Sequence, residues 1–270
     1  MPRICIYPYK MTSRSAHKLQ EGLEEEGADS LLVYPDRAYR PRATDLIIGW
    51  GAGNWPEWRR AAVDVGAIWL NTSDKISRSV NKEDTFSLLN AAHIPCPENT
   101  TSRAAALLWL ENGNIVIARQ EVEGRDGAGV VVMRSPGELV SASLYTKYRE
   151  KTEEFRVHVF QGRAFWGQIR TPITDPDNRY YREHPDRMIR TSSNGWTLYV
   201  YNADMPEICN ATAERAIAAL DLDFGCVDIG WLRETSHSPQ SVQVYETNTS
   251  PEVSDRTCQA YVEQILRLTR

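Results

Sequence analysis

Cysteine is scarce: five residues (Cys5, Cys96, Cys209, Cys226, Cys258) are scattered through 270, odd in number and without a Cys-x-x-Cys. That excludes a disulfide framework and a structural zinc site, and it suits the reduced thiols of a cytoplasmic protein. No run of about 18 apolar residues occurs, so no membrane-spanning helix is expected. The opening MPRICIYPYK lacks the apolar stretch of a secretory signal. Positive charge is not in excess either, and a net charge of -5 gives no footing for nucleic acid. The five histidines have no metal or triad spacing, and His158, on an expected strand, reads as structural. There is no Gly-x-Ser-x-Gly, so serine-hydrolase chemistry has no support.

What is present is a globular composition, with 41% hydrophobic and 25% charged residues and no internal repeat or low-complexity tract. One core stops growing at roughly 250–300 residues, so a chain of this length is expected to divide. Residues 3–8, a helix from Ser13 to Glu26, and strands at 30–34 and 45–48 read as a small parallel α/β unit. The glycines of Gly49-Trp-Gly51-Ala-Gly53-Asn54 miss the dinucleotide fingerprint because Asn54 stands where glycine is required. Trp50, Trp55 and Trp58 beside that loop read as packing residues. Helices follow at 83–92 and from Ser102 to Leu110, then strands at 115–119, 130–133, 144–148, 154–160 and 163–170. The stretch 171–196 reads as a long functional loop. Asp204-Met-Pro206-Glu207 has a capping-box pattern opening a helix to Leu220, and the last helix begins near Ser254.

Between those helices, Gly225–Leu232 and Val242–Asn248 form a hairpin. A turn centred on His237 sets Asp228 opposite Glu246 and Cys226 opposite Asn248, with Asp228, Glu246 and Asn248 on one face. Two carboxylates directly across a ladder repel. A divalent cation removes the conflict, and two carboxylates with an amide oxygen suit Mg2+. The other reading is a solvated face with charges placed by chance. Against it, Val242, Val244 and Leu232 share that face, so the acids interrupt an apolar stripe.

Val227-Asp228-Ile with Tyr245-Glu246-Thr-Asn248-Thr-Ser-Pro251 resembles the metal-binding signature of the ATP-grasp superfamily, closest to its D-alanine–D-alanine ligase and ribosomal-protein glutamate ligase branches. Four further pieces resemble the family in the right order. They are Leu70-Asn71 through Lys82 to Pro97, Ile115–Arg119 with Gly127-Ala-Gly129, Tyr145–Tyr148, and Glu154-Phe-Arg156. The resemblance implies mixed α/β and α+β architecture: an N-terminal α/β domain over 1–70, a first lobe with the glycine loop over 71–143, and a second lobe with the metal site over 144–270.

It also implies ATP with Mg2+ or Mn2+, as two ions on Asp228, Glu246 and Asn248. Lys82, Arg119, Gly127 and Gly129 would meet the phosphates, the backbone of Lys147 and Tyr148 the adenine edge, and Glu154 the ribose. Arg156, Arg170 and Arg190 would be the catalytic cations; Lys and Arg outnumber Asp and Glu by three between Lys147 and Arg190, which suits anionic ligands. Arg119 stands where many relatives carry lysine, an exchange that keeps charge but alters geometry. A surface strand cation is its other reading.

The implied activity is a carboxylate–amine ligase working through an acyl phosphate. The alternatives are a small-molecule kinase of the same fold, or a non-catalytic nucleotide-binding protein, which Arg119 favours. Substrates would be a small carboxylate and an amine (amino acid, peptide or polyamine) or a protein end, read by residues 49–58 and 171–196. Family members suggest a homodimer, with no nucleic acid or membrane as partner.

Overall fold

A computed structural model describes residues 2–36, 38–120, 129–201, 205–236 and 239–269. The chain opens with β1 (Ile4–Pro8), α1 (Arg14–Glu25), β2 (Ser30–Leu32), β3 (Leu46–Trp50), α2 (Arg59–Asp64), β4 (Ile68–Leu70) and α3 (Ser73–Val80). The strands form a parallel sheet in the order β2-β1-β3-β4. β1 and β3 are apolar runs buried along their whole length, as a sheet covered on both faces requires. Ser13 caps α1 by accepting from the Ala16 N–H.

Next come α4 (Lys82–Ala91), β5 (Asn99–Thr100), α5 (Arg103–Glu111), β6 (Val116–Arg119), β7 (Val130–Met133) and β8 (Leu144–Lys147). Asn81 and Ser102 cap α4 and α5. The strands form an antiparallel sheet ordered β5-β8-β6-β7. The last third holds β9 (Glu153–Phe160), β10 (Arg163–Pro172), β11 (Trp196–Val200), α6 (Glu207–Ala219), β12 (Phe224–Leu232), β13 (Ser241–Asn248) and α7 (Asp255–Thr269). Its sheet runs β11-β10-β9-β12-β13, antiparallel throughout.

Two elements cross between these groups. α7 packs with α1 and the strands of the first sheet in one apolar cluster that includes Tyr261, Val262 and Ile265. Phe86 and Leu89 of α4 join the core under α6 and β9. Trp50 lies fully buried where the groups meet, stacked on Phe224 and edge-on to Tyr261. Buried Asn71 closes the same joint: its Oδ1 accepts from the Asp223 N–H at 2.7 Å and its Nδ2 donates to the Phe224 carbonyl at 2.8 Å. Trp55 and Trp58 both pack on Trp69, which bears out packing for the tryptophans.

Short α2, α3, β4 and β11 have no counterpart in the sequence reading, since three to eight residues carry too few turns of periodicity to announce themselves. The expected loop at 171–196 is bounded by β10 and β11, which pair from Pro172 with Trp196 outward. The capping box expected before α6 is corrected in part: Pro206 itself holds the N-cap position without a side-chain cap. Asp204 lies outside the described residues.

The hairpin keeps the expected register where it matters, with Asp228 opposite Glu246 and Cys226 opposite Asn248. His237, the expected turn centre, is outside the described residues. A bulge between Asp228 and Ile229 then shifts the ladder, so Ile229 faces Val244 and Tyr245 is the extra residue. This corrects one expectation. Val242 and Val244 do not share the face of the acids; they pack with Val227 and Ile229 against α6. The bulge reverses the alternation, a change that a count of two per residue pair cannot foresee.

Candidate active site

β9, β10, β12 and β13 present one polar face, on which two cavities open: one against the β6–β8 sheet and one beside the first sheet. The first, about 110 Å³, is lined by apolar Ile117, Val130, Met188 and Tyr245 and by a ring of charges. The second, about 430 Å³, lies between residues 9–15 of the first sheet's edge and residues 246–252 after β13. They share Lys82, Arg170, Thr191 and Glu246, so the two meet at a lysine–glutamate pair.

The floor of both is an ionic lattice. Arg156 grips Asp228 with two hydrogen bonds, Nε to Oδ1 at 2.7 Å and a terminal nitrogen to Oδ2 at 2.9 Å. Arg170 adds a third contact to Asp228 Oδ2 at 3.1 Å and pairs with Glu154 at 2.7 Å. Lys151 closes the chain on Glu154 Oε2 at 2.7 Å. Burial alone would raise the Asp228 carboxyl, but Arg156 and then Arg170 outweigh it and hold the group well below the usual carboxylate range. Burial lowers the Lys151 ammonium, an effect that Glu154 opposes.

Lys82 Nζ sits 3.2 Å from Glu246 Oε1. Arg119, on the facing sheet, has a buried Nε with no hydrogen-bond partner among the described residues. Burial lowers its guanidinium while the nearby Glu246 charge opposes the shift. An orphaned cationic donor beside a lysine is what an incoming phosphate would satisfy. The bulge also brings Tyr245 onto this face, its ring lying over Gly230, where a Cβ would fall 2.4 Å from the ring. Lys151 rests on the same ring at 4.6 Å.

The other expected residues take varied places. The Lys147 side chain pairs with Glu98 and lies against Trp109, and its N–H donates to the Glu98 carbonyl. The Tyr148 N–H donates to the Ile115 carbonyl. Both amide donors are thus engaged within the fold, and both residues line the first cavity. Glu154, expected at the ribose, is engaged by Lys151 and Arg170. The Arg190 guanidinium donates to the Lys151 and Thr152 carbonyls and lies on Trp196, bracing the segment that holds Met188 over the cavity. The Gly129 carbonyl accepts from the Gln120 N–H at the root of the glycine loop. Gly127 and the rest of 121–128 are outside the described residues.

Asp228, Glu246 and Asn248 are hard oxygen donors on neighbouring strands, which fits magnesium better than softer metals. Glu246 is the accessible member, with 37% of its side chain exposed against 5% for Asp228. Asp228 accepts three guanidinium hydrogen bonds, one on Oδ1 and two on Oδ2, so Oδ1 is the oxygen with a lone pair left for a metal. Among the described residues no cluster of three or more His, Cys, Asp or Glu suits a metal, so the amide of Asn248 is needed to complete a set.

Sequence reasoning missed Lys151, Tyr245 and the segment 9–15. Of the stretch 49–58, expected to read substrate, only Gly51 lines the second cavity, and of 171–196 only Thr191 and Ser192 do. Lys-x-x-Glu at 151–154 was the one signal on offer for Lys151, and it is common on exposed surfaces.

No protein-family model matches the sequence, and no curated protein does. Solved structures match over its whole length. The ATP-grasp ligase PsnB, complexed with a minimal precursor, is similar with a TM-score of 0.70 at 14% identity over 100% of both chains. D-alanine–D-alanine ligase from Bacillus anthracis gives a TM-score of 0.68 at 13% identity, covering 99% of this chain and 97% of that one. The macrocyclase MdnC from Microcystis aeruginosa MRC, bound with precursor peptide MdnA, gives 0.58 at 13% identity, covering 98% and 99%. Three sheets in this order, with a charged cleft between the second and third and full-length likeness to these enzymes, identify the architecture of the chain as the ATP-grasp fold.

Proposed function

We propose that the protein is an ATP-dependent ligase that joins a carboxylate to an amine through an acyl phosphate, with a peptide or protein end as one substrate. The observation carrying this reading is the meeting of two cavities at Lys82 and Glu246, one suited to a nucleotide and one open to a second substrate. Solved neighbours bound to precursor peptides, and one bound to Mg and ADP, support a peptide substrate and these cofactors.

In this reading Lys82 at the start of α4 and Arg119 at the end of β6 neutralise the phosphates, and Arg119 Nε gains a partner. The substrate carboxylate enters from the larger cavity and attacks the γ-phosphorus, the bond to the bridging oxygen breaks, and ADP leaves. The amine then attacks the acyl carbon, phosphate departs with the bonding pair, and the amine sheds a proton. Glu246 and Asn248, with Asp228 behind them, would hold magnesium, which supplies charge neutralisation between the phosphates. The protein's own part is positioning and fixed charge: Arg170 and Arg156 are already held in place by carboxylates before any ligand arrives. At about 110 Å³ the nucleotide cavity is below the usual ligand range of roughly 300–1,000 Å³. A nucleotide entering here would need the Met188–Thr191 wall or the facing β6–β8 sheet to move aside.

The test is release of ADP and phosphate from Mg-ATP with pooled amino acids, short peptides and amines. ADP and phosphate together, dependent on a carboxylate and an amine, is the expected result. Glu246→Ala should lower the rate by about 10²–10³-fold with the fold intact. ADP without phosphate would replace ligation by phosphoryl transfer to the substrate. Equal ADP formation by the native chain and the variant would remove Glu246 from the reaction and overturn the assignment.

A further inference from the structure

A third cavity, about 520 Å³, lies at the carboxyl ends of β1, β2 and β3. Its walls are Tyr7, Tyr9, Tyr34, Pro8, Pro35 and Met11, with Asp36 at one side. In an open parallel sheet this end is where ligands bind, at the point where neighbouring connections part to opposite sides. Here β1 has β2 on one side and β3 on the other, which makes the β1/β3 crevice that point.

The cavity is not isolated. It shares Tyr9, Lys10, Gly51 and Val80 with the 430 Å³ cleft that ends at Glu246. Gly51 sits at the join with a left-handed φ of 74°, and a Cβ there would fall 2.6 Å from Ser250 Cβ. The passage is thus built by close approach of the β3 end to the loop after β13, a spacing only glycine permits. Its two compartments differ in chemistry. The part near Glu246 is polar and basic, with Arg14 and Lys82, whereas the far part mixes Tyr9, Met11, Pro35 and Val80 with Asp36, Asn54 and Ser77, and Lys10 stands at the join.

Resting on the ligase reading, we propose that these two cavities form one groove that holds a peptide substrate, with its reacting end at Glu246 and an apolar or aromatic side chain seated among Tyr9, Met11, Pro35 and Val80. Either compartment alone falls within the range of roughly 300–1,000 Å³ typical of ligand sites, so together they accommodate more than a free amino acid. Tyr7 and Tyr34 are buried and show the pocket only their margins, so its apolar surface comes from Tyr9, Met11, Pro35 and Val80, with polar groups around them to meet the flanking peptide units. Specificity would then be set away from the reacting atoms, by which side chain lies one or more residues from the joined end.

The experiment uses the full chain with four tetrapeptides, Gly-Phe-Gly-Gly, Gly-Gly-Phe-Gly and their aspartate counterparts, each with and without Mg-ATP. Hydrogen exchange of segments 7–11, 34–36 and 51–54 is followed beside ADP release. A phenylalanine peptide should protect all three segments, and the aspartate peptides should protect them weakly. Met11→Trp and Asp36→Trp, both at exposed positions, fill the pocket without touching the core or the site at Glu246. Each should weaken binding of the phenylalanine peptide by about tenfold or more, with the affinity for ATP unchanged. Protection confined to residues 9–15 and 248–252, equal protection by both peptide types, no protection by any peptide, or native affinity in both variants would overturn the proposal. Protection of the pocket with no ADP released on any substrate would keep the groove and remove the ligase reading instead.

Discussion

The two halves of the cleft are built on opposite principles. The side proposed for the nucleotide rests on a lattice of buried opposite charges, Lys151–Glu154–Arg170–Asp228–Arg156, in which each side chain holds the next and whose arginines extend under the second cavity. The substrate side is made of loops, glycine contacts and tyrosine rings, with exposed Lys10, Met11 and Asp36 along it. Taking two charges out of water costs several kcal/mol per ion, so a lattice of this kind survives only when every member is paired. Changes on the nucleotide side should therefore strike stability and activity together. Changes along the groove should alter affinity alone.

The largest effect expected is at Asp228. Asp228→Asn leaves buried Arg156 without its counter-charge and Arg170 with Glu154 alone, and should cost about 3–5 kcal/mol, read from urea denaturation. A loss below about 1 kcal/mol would mean that the arginines find water instead, and the contrast between the two halves would fail.

Next comes a pH effect under the same floor. Fully buried His158 accepts from the Tyr261 hydroxyl and donates to Gln168 Oε1 at 2.9 Å, an arrangement that suits the neutral ring. Burial lowers its pKa from 6.5 to about 4. The unfolded chain binds that proton below 6.5 and the fold only below about 4, so stability falls as pH drops through this window and levels off beneath it. The difference amounts to about 3 kcal/mol, and His158→Gln should flatten that share of the pH dependence. A parallel pH profile in the variant would assign the slope to other groups.

Gly230→Ala should displace Tyr245 from the nucleotide cavity, costing about 1–3 kcal/mol of stability. It should also weaken ATP binding several-fold in a titration, and unchanged ATP affinity would place Tyr245 outside the nucleotide site. The smallest effect belongs to Arg119→Lys, which keeps the charge but gives up the planar fork. ATP affinity should change by less than about tenfold, whereas Arg119→Met should lose more than that. Equal losses in both would show that geometry rather than charge is what the position supplies.

Much of the nucleotide half was legible. Lys82, Arg119, Arg170, Asp228 and Glu246 all reach one cleft, because hairpin register and strand alternation follow from local spacing and set which side chains share a face. What those side chains do there was not legible. That Asp228 is held by two arginines, that Lys147 turns to Glu98, and that Arg190 binds carbonyls all depend on partners far away in sequence. The bulge at Tyr245 is of the same kind: a one-residue slip reverses every face beyond it, and packing against α6 decides where it falls.

The amino-acid sequence by itself determined the elements with long periodicity, the order of the charged motifs and the pairing of Asp228 with Glu246, since these rest on near neighbours and on one short turn. Only the tertiary structure decided the second cavity and the tyrosine pocket. Residues 9–15, 34–36, 51–54 and 248–252 carry no shared pattern, and they become one groove only because Trp50 and Asn71 lock the first sheet onto the third. Side-chain packing at that joint, unlike periodicity, has no local record in the chain.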